Sequence, residues 1–220
     1  MTYKLVIGDK TTSSWSLRPW LAMRQTGIPF EEVSIKLRQP DTKAHILHHS
    51  PAGKVPILLT PDGQAIWDSL AILEFLAEAH PQARLWPEGR SARAFARSAS
   101  AEMHSGFAAL REHCPMELFT RTPMAKLPDA VDVEVRRIVA LWRECRRRFG
   151  QGGTLLFGAF TAADAMYAPV ATRFRTYIPD LADYGDDGTA QAYADALFGL
   201  PAMAAWERDA RRQTQGSPEV

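Results

Sequence analysis

Apolar and polar positions alternate over residues 3–9 (YKLVIGD), a stretch rich in strand formers, which predicts a half-buried strand. A polar loop, KTTSS, leads into residues 16–27, where Leu17, Trp20, Leu21 and Arg24 recur at helical spacing until Gly27 stops the run. Residues 30–37 (FEEVSIKL) read as a second strand, and 41–49 (DTKAHILHH) as a short helix capped by Asp41 or Thr42. VPILLT (55–60) and QAIW (64–67) flank Pro61, Asp62 and Gly63, a hairpin signal, and residues 68–79 form a helix opened by Asp68 or Ser69. The pattern then changes. Residues 80–91 hold two prolines, a glycine and mixed charge, the composition of a linker, and no strand pattern persists beyond them. Over residues 91–114, Phe95, Ala99, Met103, Phe107, Leu110 and Cys114 repeat at spacings of three or four, and Val131, Val135, Ile138, Trp142, Cys145 and Phe149 do the same later. Thr161 and Asp164 form a capping box ahead of AMYAPVATRF, a helix that Pro169 is expected to kink. Residues 200–212 close the ordered chain, and the tail after Arg212 is expected to fray.

The order βαβαββα in about 80 residues, with a right-handed crossover and a closing antiparallel hairpin, predicts one small mixed sheet carrying helices. That is a thioredoxin-like arrangement. The fold class is therefore α/β plus all-α: a thioredoxin-like domain over 1–80, a linker over 81–91 and a helical-bundle domain over 92–220.

Composition narrows the possible functions. The 220 residues are 46% apolar and 23% charged, as in a globular chain, and 26 basic against 25 acidic side chains leave a net charge of +1. The balance is also local: residues 1–80 carry eight of each sign. Neither nucleic acid nor an anionic membrane surface has an electrostatic claim on such a chain. Arg136, Arg137, Arg143, Arg146, Arg147 and Arg148 form a basic run, but Asp132, Glu134 and Glu144 interleave with it, which describes a solvated surface. No apolar run reaches the roughly 18 residues of a membrane span, and the N-terminus opens as a strand, so a cytoplasmic location is expected. Cys114 and Cys145 lie on apolar stripes with no C-x-x-C spacing and read as buried core thiols. His45 and His49, with Asp41 one turn earlier, could face one metal, but with no fourth ligand in view a solvated helix face accounts for them, and no metal is expected.

The first loop carries the candidate chemistry. Thr11, Thr12, Ser13, Ser14 and Ser16 stand where a thioredoxin-like domain keeps its reactive group, and no cysteine is among them. A hydroxyl at a helix N-terminus can donate a hydrogen bond to an anion while the helix dipole adds favourable charge, which suits a thiolate; the same serines could serve as ordinary N-caps. Val55 and Pro56 open a predicted strand, where a cis bond would turn the backbone of Val55 toward the serine loop and let an extended peptide add as a strand. Asp68 and Ser69 sit at a helix N-terminus, able to meet a carboxylate and an ammonium.

Taken together, Ser13, Ser14, Trp15, Ser16, Leu17 and Arg18, then Ser50 through Pro56, Asp68 and Ser69, and the Thr161 and Asp164 box resemble a cytosolic glutathione transferase over nearly the whole chain. The start is most similar to the zeta class and related bacterial serine-type enzymes. The resemblance implies that Ser13 is the thiolate-stabilising hydroxyl, with Ser14 its close competitor. It implies a glutathione site that also includes Trp15, Lys54 near the glycyl end, Val55, Pro56, Asp68 and Ser69. The implied activity joins glutathione to a small hydrophobic electrophile in a homodimer, with glutathione as substrate or cofactor. His104, Phe107 and Arg111 lie on or near the helix that would wall the electrophile pocket, as do Met103 and Met116, and the same spacing also suits core positions. Three positions depart from the pattern. Trp15 stands where zeta enzymes carry Cys, Asp68 replaces the commoner Glu, and Ser50 stands where Asn often precedes the proline. Two alternatives remain open, a glutathione-dependent cis-trans isomerase and a non-catalytic binding protein of the same fold.

Overall fold

The computed structural model describes residues 2–215. Strand β1 (Tyr3–Ile7) lies inside a four-stranded sheet of order β2-β1-β3-β4, parallel to β2 (Phe30–Ser34) and antiparallel to β3 (Ile57–Leu59), which pairs in turn with β4 (Ala65–Ile66). Helix α1 (Ser14–Thr26) makes the crossover from β1 to β2, α2 (Thr42–His49) precedes β3, and α3 (Ser69–Ala79) follows β4. The two-residue alternation of β1 explains how both faces are covered. Leu5 and Ile7 point into the main core with Leu17, Leu21, Ile72 and Leu76, while Val6 points the other way, to Ile35, Ile46 and Ile57. The expected second strand is shorter than its pattern. After Ile35 donates its N–H to the Ile7 carbonyl, the chain leaves the sheet and Leu37 N–H turns to the Asp9 carboxylate.

The rest is helical: α4 (Arg90–Ser105), α5 (Ala108–His113), α6 (Asp129–Phe149), α7 (Ala162–Tyr177), α8 (Thr189–Phe198) and α9 (Pro201–Gln215). The apolar repeat over 91–114 predicts one helix, but the chain breaks at Gly106 and Phe107. Phe107 takes a left-handed φ of 58°, and the Arg111 guanidinium turns back to the Met103, His104 and Gly106 carbonyls, satisfying acceptors that a helix end leaves open. Helix α7 is buried on nearly every side, which its small residues Ala162, Ala163, Ala165, Ala168 and Ala171 permit. Its start is the Thr161 and Asp164 box; the Asp164 carboxylate, fully buried, accepts from Thr161 N–H and Oγ1 and from Leu156 N–H. Trp142 packs edge-on against Tyr167 and Tyr193 at the centre of this domain. Helix α8 carries no pattern singled out in the sequence. The last helix runs to Gln215, and the remainder of the tail expected to fray lies outside the described residues. Among the described residues, no helix is long and apolar enough to cross a membrane.

Candidate active site

The loop joining β1 to α1 is fixed by contacts from three directions. A Cβ at Gly8 would meet the Leu37 side chain, so any larger residue where the loop leaves β1 would have to displace it. Lys10 is 2% exposed. Its Nζ meets Glu32 at 2.7 Å and Asp209 at 3.3 Å, between the rings of Trp20 and Trp206. The Trp206 indole N–H donates to the Lys10 carbonyl, and Lys10 N–H donates to Gln213, so α9 clasps the loop. Leu118 N–H donates to the Thr11 carbonyl, and the Asp9 carbonyl accepts from Thr12 and Ser13.

With the loop held, its serines face different partners. Ser13 occupies the N-cap position of α1, yet its side chain makes no capping bond; its hydroxyl donates to Ser16 Oγ at 2.7 Å, which also accepts from Gly8 N–H. Ser14 Oγ accepts from Arg173 of α7 at 3.2 Å. Trp15 is packed by two guanidiniums, Arg18 at 4.1 Å and Arg111 at 4.7 Å from its ring centre, with His104 edge-on at 5.4 Å.

Across a cavity of about 800 Å³ stand Lys54, Val55 and Pro56, then Trp67 and Asp68, with His104 on the helical side and Thr12 through Trp15 at the base. The Val55–Pro56 bond is cis. The sheet ladder begins only at Ile57, and no hydrogen bond among the described residues uses the N–H or C=O of Val55. Asp68 serves both domains. Its Oδ1 caps α3 by accepting from Leu70 and Ala71 N–H, and its Oδ2 meets His104 Nε2 at 2.9 Å. Ser69 is fully buried behind it, accepting from Arg18 at 3.3 Å.

The expected site residues thus separate into two sets. Ser13, Ser14, Trp15, Lys54, Val55, Pro56, Asp68 and His104 line one cavity; Ser69 lies beneath it. Phe107 and Arg111, expected in the electrophile pocket, do not line the cavity: Phe107 is in the core, and Arg111 sits behind Trp15 holding the end of α4. Met103 and Met116 are likewise core. Asp41 and His45 approach to 3.5 Å on the exposed face of α2, and no group of three or more metal-ligating side chains occurs among the described residues.

The electrostatics are dominated by three arginines, Arg18, Arg111 and Arg173, of which the sequence reading gave a role only to Arg111. Burial lowers the pKa of Arg18 well below the ordinary guanidinium value, and repulsion from Arg111 and Arg173 adds to it. Burial first, then Arg111, lowers Arg173 to about 10. At about 10, Arg173 is a cation at neutral pH. Burial pushes the Cys145 thiol up to about 12 and raises Cys114 as well, so neither is a nucleophile near neutrality. The one signal for Arg173 in the sequence is a charge following the apolar stretch from Ala165 to Ala171.

Comparison with known proteins gives consistent results. Residues 12–79 match the family profile "Glutathione S-transferase, N-terminal domain", and residues 128–209 match "Glutathione S-transferase, C-terminal domain". A Caenorhabditis elegans protein named "Probable maleylacetoacetate isomerase" is 33% identical over 112 residues, 51% of this chain and 51% of that protein, so the match spans about half the length of this relative. A sphingomonad glutathione S-transferase solved in complex with glutathione is 27% identical, with a TM-score of 0.64 over 95% of this chain and 99% of its own. The beta class enzyme of Sphingomonas chungbukensis is 26% identical, with a TM-score of 0.67 over 94% of this chain and 98% of its own. Both domain profiles, in chain order, on a sheet domain followed by a helical one make the chain a member of the glutathione S-transferase family.

Proposed function

We propose that the protein is a cytoplasmic, homodimeric glutathione transferase. In this reading residues 1–80 bind glutathione, and residues 92–220, beyond the linker over 81–91, complete a pocket for a small hydrophobic electrophile. One observation carries the reading: the Ser13 hydroxyl at the start of α1 makes no capping bond, and it shares a cavity with Ser14, with the backbone of Val55, unpaired among the described residues, and with the carboxylate of Asp68. An extended tripeptide would pair with Val55 as an added strand and place its γ-glutamyl end at Asp68 and its glycyl end near Lys54. Its sulfur would then lie at the α1 N-terminus. A free thiol has a pKa of about 8.5, and a hydrogen bond to the anion together with the helix dipole lowers it. The thiolate then forms a carbon–sulfur bond to the electrophile, whose displaced electron pair leaves with the departing group or is taken up by protonation. Holding the two reactants together makes the step effectively unimolecular.

A second reading, a glutathione-dependent cis-trans isomerase, is favoured by the half-length match to the C. elegans protein and opposed by Trp15 in the place of the zeta-class Cys. Calorimetric titration with glutathione, then incubation with a panel of electrophiles that includes maleylacetone, distinguishes the readings. Conjugation supports the first and isomerisation the second. Binding without turnover leaves a glutathione-binding protein, and absence of binding overturns all three.

A further inference from the structure

Arg173 is 5% exposed, and its three bonded arms all end on uncharged oxygens. Nε donates to the Cys114 carbonyl at 2.9 Å, Nη1 to the Pro169 carbonyl at 3.1 Å and Nη2 to Ser14 Oγ at 3.2 Å. The charged and titratable groups around it are Arg111 and Cys114 from the α5 segment, Tyr177 on its own helix and Arg18 on α1, with Asp68 and His104 at the cavity mouth. Among the described residues, no carboxylate pairs with it. Removing a cation from water costs free energy that carbonyl contacts offset only in part, so this charge is left with attraction for an anion.

The two carbonyls fix the guanidinium plane, and the third arm fixes Ser14. An N–H donated to Oγ fills one lone pair, so the hydroxyl's own proton must point elsewhere, and Ser14 lines the cavity. Ser13 is arranged differently: its hydroxyl pairs with that of Ser16 at 2.7 Å within the loop, and no guanidinium donates to it. We propose that Arg173, from the helical domain, is the positioning residue of the thiolate site: it makes Ser14, not Ser13, the hydroxyl that donates to the glutathione sulfur, and it sets an unneutralised positive charge behind that hydroxyl. The thiol proton goes to bulk water, and Ser14 and Arg173 keep theirs. The proposal rests on the glutathione reading of the cavity.

The test is the pKa of the bound glutathione thiol, read from thiolate absorbance of the protein–glutathione complex against pH, a signal to which His104 does not contribute. Calorimetric binding of S-methylglutathione, which has no ionisable sulfur, reports separately on the integrity of the site. Wild-type protein is expected to bind both ligands and to hold the thiol below its free pKa of about 8.5. Arg173→Met should raise the bound thiol pKa by about one unit, a tenfold loss of thiolate at a fixed lower pH, and leave S-methylglutathione affinity within about threefold. Arg173→Lys, which keeps the charge without the fork, should fall between the two. Ser14→Ala should raise the thiol pKa at least as much as Arg173→Met, the double variant by less than the sum of the two, and Ser13→Ala much less. An unchanged thiol pKa in Arg173→Met, additive effects in the double variant, or a larger shift in Ser13→Ala than in Ser14→Ala overturns the proposal. Should Arg173→Met fail to fold, Arg173→Lys and the two serine variants decide it alone. If wild-type protein binds no S-methylglutathione, the glutathione reading falls and the proposal with it.

Discussion

Two buried cations act on the loop at the start of α1, and they are neutralised differently. Lys10, on the loop, meets two carboxylates, Glu32 from the sheet and Asp209 from α9, and lies between two indole rings. Arg173, contacting the loop from the helical domain, meets two carbonyls and one hydroxyl. Each joins distant parts of the chain. The difference lies in the charge left over: the Lys10 cluster is balanced, its two carboxylates met by Lys10 and, at Asp209, by Arg212 at 3.9 Å, whereas Arg173 is repelled by two further guanidiniums, Arg18 and Arg111. A neutralised buried ion serves the fold, while an unneutralised one beside a cavity favours an incoming anion.

The largest effect that could break this comparison is on stability. Lys10→Met leaves the Glu32 and Asp209 carboxylates facing each other with no cation between them, and unfolding free energy should drop by about 3 kcal/mol, toward the low end for broken buried pairs because both carboxylates are partly exposed. Arg173→Met removes a charge whose burial is itself costly and should lose only about 1 kcal/mol, mainly from the stranded Cys114 carbonyl. Chemical denaturation of both variants checks this. Equal losses would mean that Arg173 is as structural as Lys10.

Asp164 sharpens the comparison from the acidic side, being a fully buried carboxylate with only N–H and O–H donors around it and no place in the cavity wall. Burial is the largest influence on it and raises its pKa from 3.8 to about 6, with the bonds from Leu156 and Thr161 pulling the other way. The folded protein therefore holds this proton over an interval in which the unfolded chain has released it, and the Asp164 contribution to stability falls as pH rises from about 4 to about 6 and is flat above. Asp164→Asn should abolish that slope and, by disturbing the capping box, cost about 2 kcal/mol at neutral pH. Denaturation midpoints of the two proteins across this pH range supply the measurement, and parallel curves would exclude Asp164 as the titrating group.

These cases also mark what the sequence made legible. The capping box was readable because its partners are three residues apart, and β1 because two-residue alternation is local. The cavity walls were readable as separate motifs, each resting on a helix N-terminus or a strand opening. The bonds between them were not: Arg18 reaches Ser69 over 51 positions and Arg173 reaches Ser14 over 159, and no spacing rule connects residues brought together only by the packing of α1 on α3 and on α7. The break at Gly106 was hidden because the apolar repeat runs straight through it, and α8 because its buried face includes two alanines.

A smaller effect tests how the cation at Ser14 is used. Ser14→Ala should lower turnover with an aryl or alkyl electrophile about tenfold more than Ser13→Ala, with glutathione affinity within a few-fold in both, because Ser14 accepts from the Arg173 guanidinium while the Ser13 hydroxyl pairs with Ser16. Steady-state kinetics on the two variants give the ratio. A reversed ratio would return the role to Ser13 and leave Arg173 as packing.

The smallest expected effect belongs to the pair that resembles neither buried cation. His104 Nε2 meets Asp68 Oδ2 at 2.9 Å where the Asp68 side chain is 51% exposed, so solvent screens the contact and its worth is at most about 1 kcal/mol. Asp68 keeps its cap on α3 through Oδ1 whether or not His104 is present, and an ammonium approaching Oδ2 needs only one of that oxygen's lone pairs. His104→Gln should therefore change glutathione affinity by less than about fivefold, measured by calorimetry, and leave the unfolding midpoint nearly unmoved. A loss of a hundredfold or more would show that an exposed contact controls the site as strongly as a buried charge, and the distinction drawn between Lys10 and Arg173 on burial and neutralisation would no longer account for how this cavity selects its ligand.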